Sequence, residues 1–318
     1  MQQQDWWQLT FPTGRKTLQI IDANGNPVEL SYGEKGQGQP LVCLNGWGCW
    51  SYSWHRNIDD LAQHFRVICF DGKGYGYSEK PQQIDRSGYQ VKEVIRVIEA
   101  LSDEPVFLVG ESLGGLLALA VAQERPDLVA QLSVIDAAIF PRQMPNLGMR
   151  MMVKIPLSWV RFFDYAGLIR YCVPVLRALY HQGQREIYYN PQASQAENVH
   201  WVLYPYITFR GALTRLTADS KQATEEIIKL MRYNDGVIAE VQENLSEIKC
   251  PTLILWGEKD HWFPPSDAHR LKECLLNSTL VIIPNCGHHA ISDCPKEVNQ
   301  ALIEFSKTLS DKPSLQYA

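Results

Sequence analysis

Six short runs in this chain are apolar at nearly every position, and most are separated by segments patterned as helices. The runs are LVCLNG (41–46), RVICFD (66–71), VFLVGE (106–111), QLSVIDA (131–137), TLILWGE (252–258) and TLVIIPN (279–285). A strand that is apolar on both faces must be covered on both faces, so this alternation predicts a parallel α/β sheet sandwiched between helices. The spacing predicts helices near 54–64, 91–102, 113–124, 266–275 and 296–309. Ahead of them, KTLQIIDANGNPVELSY reads as two strands around Asn24-Gly25, a pair suited to a type I′ hairpin turn.

The alternation stops near residue 138 and resumes at 252. The intervening chain is mostly helical in pattern and broken by Pro156, Pro174, Pro191 and Pro205. Ordinary connections between strands are a few residues long, so this insertion reads as a lid or cap. The expected organisation is a core of residues 1–137 and 247–318 with a helical cap of residues 138–246. A chain of 318 residues, 45% of them apolar, can bury a substantial core. A net charge of -5 gives no reason to expect nucleic acid as a partner. No run approaches the ~18 apolar residues of a membrane span, and the opening MQQQDWWQLT lacks the regions of a secretory signal. The 8 cysteines are too scattered for a zinc motif, and most read as small reduced core residues. A cytoplasmic protein with neither metal nor cofactor is expected. The tail DKPSLQYA reads as frayed. The oligomeric state is not legible.

VGESLGG (109–115) carries the first chemical signal. A buried strand ends, one residue turns, and a helix starts at once, with Gly110 and Gly114 flanking Ser112 at i-2 and i+2. Side chains at those two glycines would crowd so tight a turn. The Ser112 hydroxyl is left exposed beside a helix N-terminus, where developing negative charge is favoured. A serine hydroxyl needs a base, and the base needs an orienting acid. Sites in open α/β sheets form at the C-terminal ends of strands. There, WGEKDHW supplies Asp260, and NCGHH supplies His288 with His289 beside it.

Four motifs, NGWG (45–48), DGKGYGYS (71–78), GESLG (110–114) and GHHAISDCP (287–295), make the chain resemble the α/β-hydrolase fold superfamily. The resemblance is to its serine-nucleophile branch with a helical cap. It covers nearly all of residues 16–310, though within the cap it is one of position and character only. It implies an α/β-hydrolase fold: a mostly parallel twisted sheet, flanking helices and an inserted cap. The family's last motif runs Gly-His, four residues, an acid, one residue, Pro. Gly287, His288, Asp293 and Pro295 keep that register, which selects His288 as the base and leaves His289 a neighbour. The implied triad is Ser112, Asp260 and His288. Asp136, at the end of its strand, is the rival acid, in a place some members use. The implied oxyanion donors are the backbone N–H groups of Trp47 and Leu113. Asn45 stands where the family usually writes histidine. Asp71, Ser78 and the glycines between them read as turn chemistry.

A serine nucleophile favours acyl transfer. Haloalkane dehalogenases and epoxide hydrolases, which resemble this chain in the cap, need a carboxylate at position 112. The expected activity is that of a carboxylesterase-like serine hydrolase acting on a lipophilic small molecule. Carbon–carbon hydrolases of vinylogous diketones share serine, cap and triad and stand as the alternative. A relative that binds a small molecule without catalysis is the alternative of another class. Residues 138–246 hold five of the 6 methionines (Met144, Met149, Met151, Met152, Met231) and Tyr188, Tyr189, Tyr204 and Tyr206, suited to an adaptable apolar wall. From 138 to 185 there are seven basic residues against the single acid Asp164. That balance reads either as a solvated face over a packed cap, the more ordinary arrangement, or as a surface for peripheral contact with an anionic membrane.

Overall fold

The computed structural model describes residues 5–190 and 196–310. Pro191 and the DKPSLQYA tail lie outside the described residues. Eight strands form one sheet: β1 (Lys16–Ile21), β2 (Pro27–Lys35), β3 (Pro40–Leu44), β4 (Arg66–Phe70), β5 (Val106–Glu111), β6 (Val129–Ile135), β7 (Thr252–Gly257) and β8 (Ser278–Ile283). Their order is β1-β2-β4-β3-β5-β6-β7-β8. β2 pairs antiparallel with β1 and β4, and every later pairing is parallel.

The helices of the core are α1 (Trp6–Thr10), α2 (Ile58–Leu61), α3 (Tyr89–Leu101) and α4 (Leu113–Glu124). Between β6 and β7 come α5 (Leu147–Met152), α6 (Leu157–Tyr165), α7 (Val173–Ile187), α8 (Ala196–Thr208), α9 (Ala212–Tyr233) and α10 (Val237–Glu243). The chain closes with α11 (Pro265–Cys274), α12 (Ala290–Asp293) and α13 (Pro295–Ser310). Among the described residues, no helix is long and apolar enough to cross a membrane.

The central strands are buried on both faces because alternate residues feed two separate cores. Val42, Ile68 and Leu108 face one core, packed by α3 and α4; Leu41, Val67 and Phe107 face the other, with Trp7, Trp54 and Val298. No strand interior is left to solvent there, which is why these runs lack the polar alternation of a half-exposed sheet.

Three expectations change in the structure. The β1–β2 loop is not a two-residue type I′ turn, since Gly25 has φ +88° but Asn24 does not enter the left-handed region. Asp22 N–H reaches the Asn26 carbonyl (2.7 Å), and the Asp22 carboxylate accepts from the N–H groups of Asn24 and Asn26 (2.9 Å each). That side chain stabilises a longer loop with only one positive φ. The helix expected at 54–64 is reduced to a short 3₁₀ turn, Ser51–Trp54, and the single turn of α2. Trp50 through Trp54 are all buried, so no solvent face remains for an amphipathic helix. Of the cysteines, only Cys43, Cys69 and Cys286 are buried; four are half-buried and Cys172 is exposed, all unpaired.

Buried charge fastens the insertion to the core. Lys73 Nζ lies 2.8 Å from Asp22, 2.8 Å from Asp85 and 2.5 Å from Glu93, with only 1% of its side chain exposed. Asp85 also binds Arg215 of α9 at 2.6 Å, and Arg215 reaches Asp219 at 2.9 Å. Tyr75 donates to Asp219 (2.6 Å), closing a network of two cations and four carboxylates. Hydrogen bonds from Trp50 to the Trp201 carbonyl (3.0 Å) and from Tyr206 to the Gly48 carbonyl (2.7 Å) join the same two parts.

Removing one member of a buried ion cluster strands the rest in a medium that solvates charge poorly. Lys73→Met should therefore cost about 3–5 kcal/mol, read as a lowered midpoint in urea unfolding. Arg125→Gln, at the exposed Arg125–Asp127 pair, should leave the midpoint where it is. Equal midpoints for wild type and Lys73→Met would contradict the role given to this network.

Candidate active site

The site begins at a turn that most residues could not make. Ser112 follows β5 directly and precedes α4, at φ 54° and ψ -116°, a conformation L-residues rarely adopt. Its N–H is held by the Ile135 carbonyl of β6 (2.8 Å), and its carbonyl accepts from the Ala138 N–H (3.1 Å). The flanking glycines are explained by what a Cβ would meet. At Gly110 it would lie 2.1 Å from the Gly114 carbonyl oxygen; at Gly114, 2.6 Å from that of Leu44. β5, α4 and the end of β3 are packed backbone to backbone, and the strain at Ser112 is held in place by that packing.

The loops after β7 and β8 meet this turn. His288 Nε2 lies 3.1 Å from Ser112 Oγ, and His288 Nδ1 lies 2.8 Å from Asp260 Oδ2. Asp260 Oδ1 accepts from the N–H groups of Trp262 (2.7 Å) and Phe263 (2.9 Å), which fixes the carboxylate. The Trp262 and Phe263 rings sit 4.8 and 5.3 Å from the imidazole and hold its plane. Their part was not foreseen from the sequence, although Trp262-Phe263 directly follows DH in the same loop. The loops can approach because residue 257 is glycine: a Cβ on Gly257 would lie 2.2 Å from the Gly287 carbonyl oxygen.

Neither neighbour of this set is idle. His289 Nδ1 lies 2.7 Å from Glu111 Oε2, a buried pairing formed by the residue before Ser112 and the residue after His288. Sequence spacing gave no sign of it. Asp136 sits at φ 47° and accepts from the Gly257 N–H (2.7 Å). Burial, with the nearby Asp260 carboxylate, pushes its own carboxyl well above the usual range. Among the described residues no hydrogen bond joins Asp136 to His288. Asp293 accepts from the N–H groups of Gly287 (2.7 Å), Tyr189 (2.8 Å) and Asn190 (2.9 Å), tying the histidine loop to the end of α7.

Asn45 donates to the Phe70 carbonyl (3.0 Å) and so fastens the loop after β3. A Cβ on Gly46 would come 3.4 Å from that of Ser112, so the loop lies against the turn. Trp47 and Leu113 both line the pocket into which Ser112 opens. Asp71 takes the structural place expected: it accepts from Ser51 N–H (2.9 Å) and Tyr77 N–H (2.7 Å), and Ser78 Oγ donates to its carbonyl (2.5 Å).

The described lining of that pocket is apolar apart from Ser112 and Gln143. Met144 and Met149 contribute to the wall with Ile227, Ile238 and Phe263. The other methionines of the insertion do not: Met151 and Met231 are 55% and 57% exposed. Tyr188, Tyr189, Tyr204 and Tyr206 also lie off this wall.

Two pairs of variants separate the roles. His288→Ala should remove turnover, whereas His289→Ala should keep most activity per folded molecule and lower thermal stability, because Glu111 loses its partner. Asp260→Asn should cost about ten thousandfold in kcat by disturbing the imidazole tautomer. Asp136→Asn keeps an oxygen to accept from the Gly257 N–H and touches no bond of His288, so it should change kcat little. Reversed severities in either pair, measured on one soluble ester, would contradict these assignments.

Comparison with known proteins identifies the family and the fold. A family profile described as alpha/beta hydrolase fold matches residues 39–295. A 2-hydroxy-6-oxo-6-(2'-aminophenyl)hexa-2,4-dienoic acid hydrolase of Metapseudomonas resinovorans is 25% identical over 296 residues, covering 91% of each chain. A 2-hydroxy-6-oxononadienedioate/2-hydroxy-6-oxononatrienedioate hydrolase of Paraburkholderia phymatum is 27% identical over 300 residues, covering 91% of this chain and 94% of its own. A solved meta-cleavage product hydrolase from Pseudomonas fluorescens superposes with a TM-score of 0.70 at 22% identity. It covers 92% of this chain and 98% of that one, a likeness of fold.

Proposed function

Because the chain belongs to the α/β-hydrolase family, we propose that it is a serine hydrolase cleaving an ester-like bond of a lipophilic small molecule. The observation that carries this reading is the hydrogen-bonded line from Asp260 through His288 to Ser112, opening on an apolar pocket. In the mechanism, Ser112 Oγ attacks the substrate carbonyl carbon as its proton passes to His288 Nε2. Asp260 accepts the Nδ1–H bond and stabilises the imidazolium. The tetrahedral oxyanion is met by the backbone N–H groups of Trp47 and Leu113, the latter in the first turn of α4. His288 then protonates the leaving alkoxide, leaving an acyl-enzyme. Water, deprotonated by His288, releases the acid. The helical insertion of residues 138–246 acts as the cap that sets specificity, through Met144, Met149 and Ile227.

The names of the relatives favour a second reading, hydrolysis of a carbon–carbon bond in a vinylogous diketone by the same residues. The dienedioate named for one relative carries two carboxylates. Here the pocket lining beside Ser112 is apolar, and Arg215, in the adjoining pocket, is already paired with Asp85 and Asp219. These features favour an uncharged acyl group.

A series of p-nitrophenyl esters tests the reading. Each buried methylene contributes ~0.8 kcal/mol, so kcat/KM should rise about fourfold per methylene from acetyl toward medium chains until the pocket fills. Ser112→Ala should lower it by at least about four orders of magnitude without changing the fold. Acetyl preference would contradict the lipophilic pocket. Slow turnover of every ester beside rapid cleavage of a dienol diketone would establish the second reading instead.

A further inference from the structure

α6 is built with its large rings outward and its carboxylate inward. Trp159, Phe162 and Phe163 occupy one stripe (i, i+3, i+4) and are 65%, 66% and 46% exposed. On the opposite face Asp164 is buried, where it accepts from the Thr214 N–H and hydroxyl (2.7 Å each). A soluble helix that buries its acid and exposes its aromatic residues inverts the usual amphipathic pattern. The inversion extends to both neighbours. On α5, Leu147 and Met151 are 68% and 55% exposed, and Tyr171, just ahead of α7, is 72% exposed.

The charge on this stretch has one sign. Lys154, Arg161, Arg170 and Arg177 are exposed among these rings, and the sole acid of residues 138–185, Asp164, is the one that α6 buries. Exposed rings and thioethers interleaved with cations match the boundary layer of a bilayer with anionic headgroups, where rings enter the acyl edge and cations meet phosphate. A second copy of the chain fits less well. An isologous contact sets the same patch against itself, here cation against cation.

We propose that α5, α6 and the start of α7 form a docking surface for an anionic lipid bilayer. The surface stands on its own composition and exposure and does not depend on which bond the enzyme cleaves. Its position suits a lipophilic substrate. Met149, which lines the pocket beside Ser112, lies on α5 between the outward Leu147 and Met151, so one short helix separates the docked face from the pocket wall.

Flotation of the purified full chain with phosphatidylcholine vesicles, with and without phosphatidylglycerol, tests the proposal. At low salt the bound fraction should rise about tenfold with phosphatidylglycerol and fall back at high salt. Trp159→Ser/Phe162→Ser and Lys154→Glu/Arg161→Glu should each lower binding about tenfold. Both should retain the wild-type circular dichroism spectrum and turnover of a soluble short-chain ester, since these side chains touch neither pocket nor triad. Equal flotation on both vesicle types, or folded variants that float like wild type, would overturn the proposal. So would a wild-type dimer in sedimentation velocity that floats with neither vesicle and becomes monomeric in Trp159→Ser/Phe162→Ser, which would assign the face to a second copy.

Discussion

The close approach of β3, β5 and α4 at the Ser112 turn is the constraint on which the rest of this structure depends. Backbone lies against backbone at Gly110 and Gly114, where any Cβ would fall within 2.6 Å of a carbonyl oxygen. That packing offsets the cost of a serine at φ 54° and aims its hydroxyl away from the sheet. β6 contributes the Ile135 carbonyl that holds the Ser112 N–H. The loops after β7 and β8 then need only pass close to one another, which Gly257 allows, while Gly287 lets the end of α7 pack against the histidine loop. The hydrogen-bonded line of three side chains is thus a consequence of where parallel strands end.

A second constraint operates from the insertion. Between β6 and β7, helices α5, α9 and α10 contribute to the pocket wall, and the contacts that hold the described helices of the insertion are of unlike kinds. A buried ionic network through Arg215 and Lys73 fastens α9, and Asp293 fastens the end of α7 to the histidine loop. Because Asp293 binds both Gly287 and Tyr189, the position of α7 and the position of His288 are linked through one carboxylate. The outer face of the same helices carries rings and cations that the core does not use, and this separation of inner and outer faces lets one short element, α5, serve both pocket and surface.

Most of the sheet was legible in the sequence because its signal is local. VFLVGE and the helix from Leu113 to Glu124 fall where their apolar pattern ends in Gly-x-Ser-x-Gly, and both bounds hold in the structure. Ser112, Asp260 and His288 could be proposed because each lies in a loop beyond a strand and in a motif of the family that the chain resembles. Features made by distant partners were not legible. Nothing near Lys73 in the chain points to Asp22 or Glu93, and Glu111 and His289 pair across 178 positions. Composition misled where it stood in for position. Five methionines in the insertion suggested one apolar wall, yet only Met144 and Met149 line the pocket. The Asn24-Gly25 pair suggested a two-residue turn, yet the Asp22 carboxylate stabilises a longer one.

The central claim is that Ser112 is a nucleophile activated by His288, and covalent labelling tests it most directly. A fluorophosphonate probe should modify wild type at one site per chain, mapped by peptide mass spectrometry to Ser112. The His288→Ala variant should label far more slowly, because the hydroxyl keeps its proton. Wild type that remains unlabelled, or that labels at a residue other than Ser112, would contradict the account.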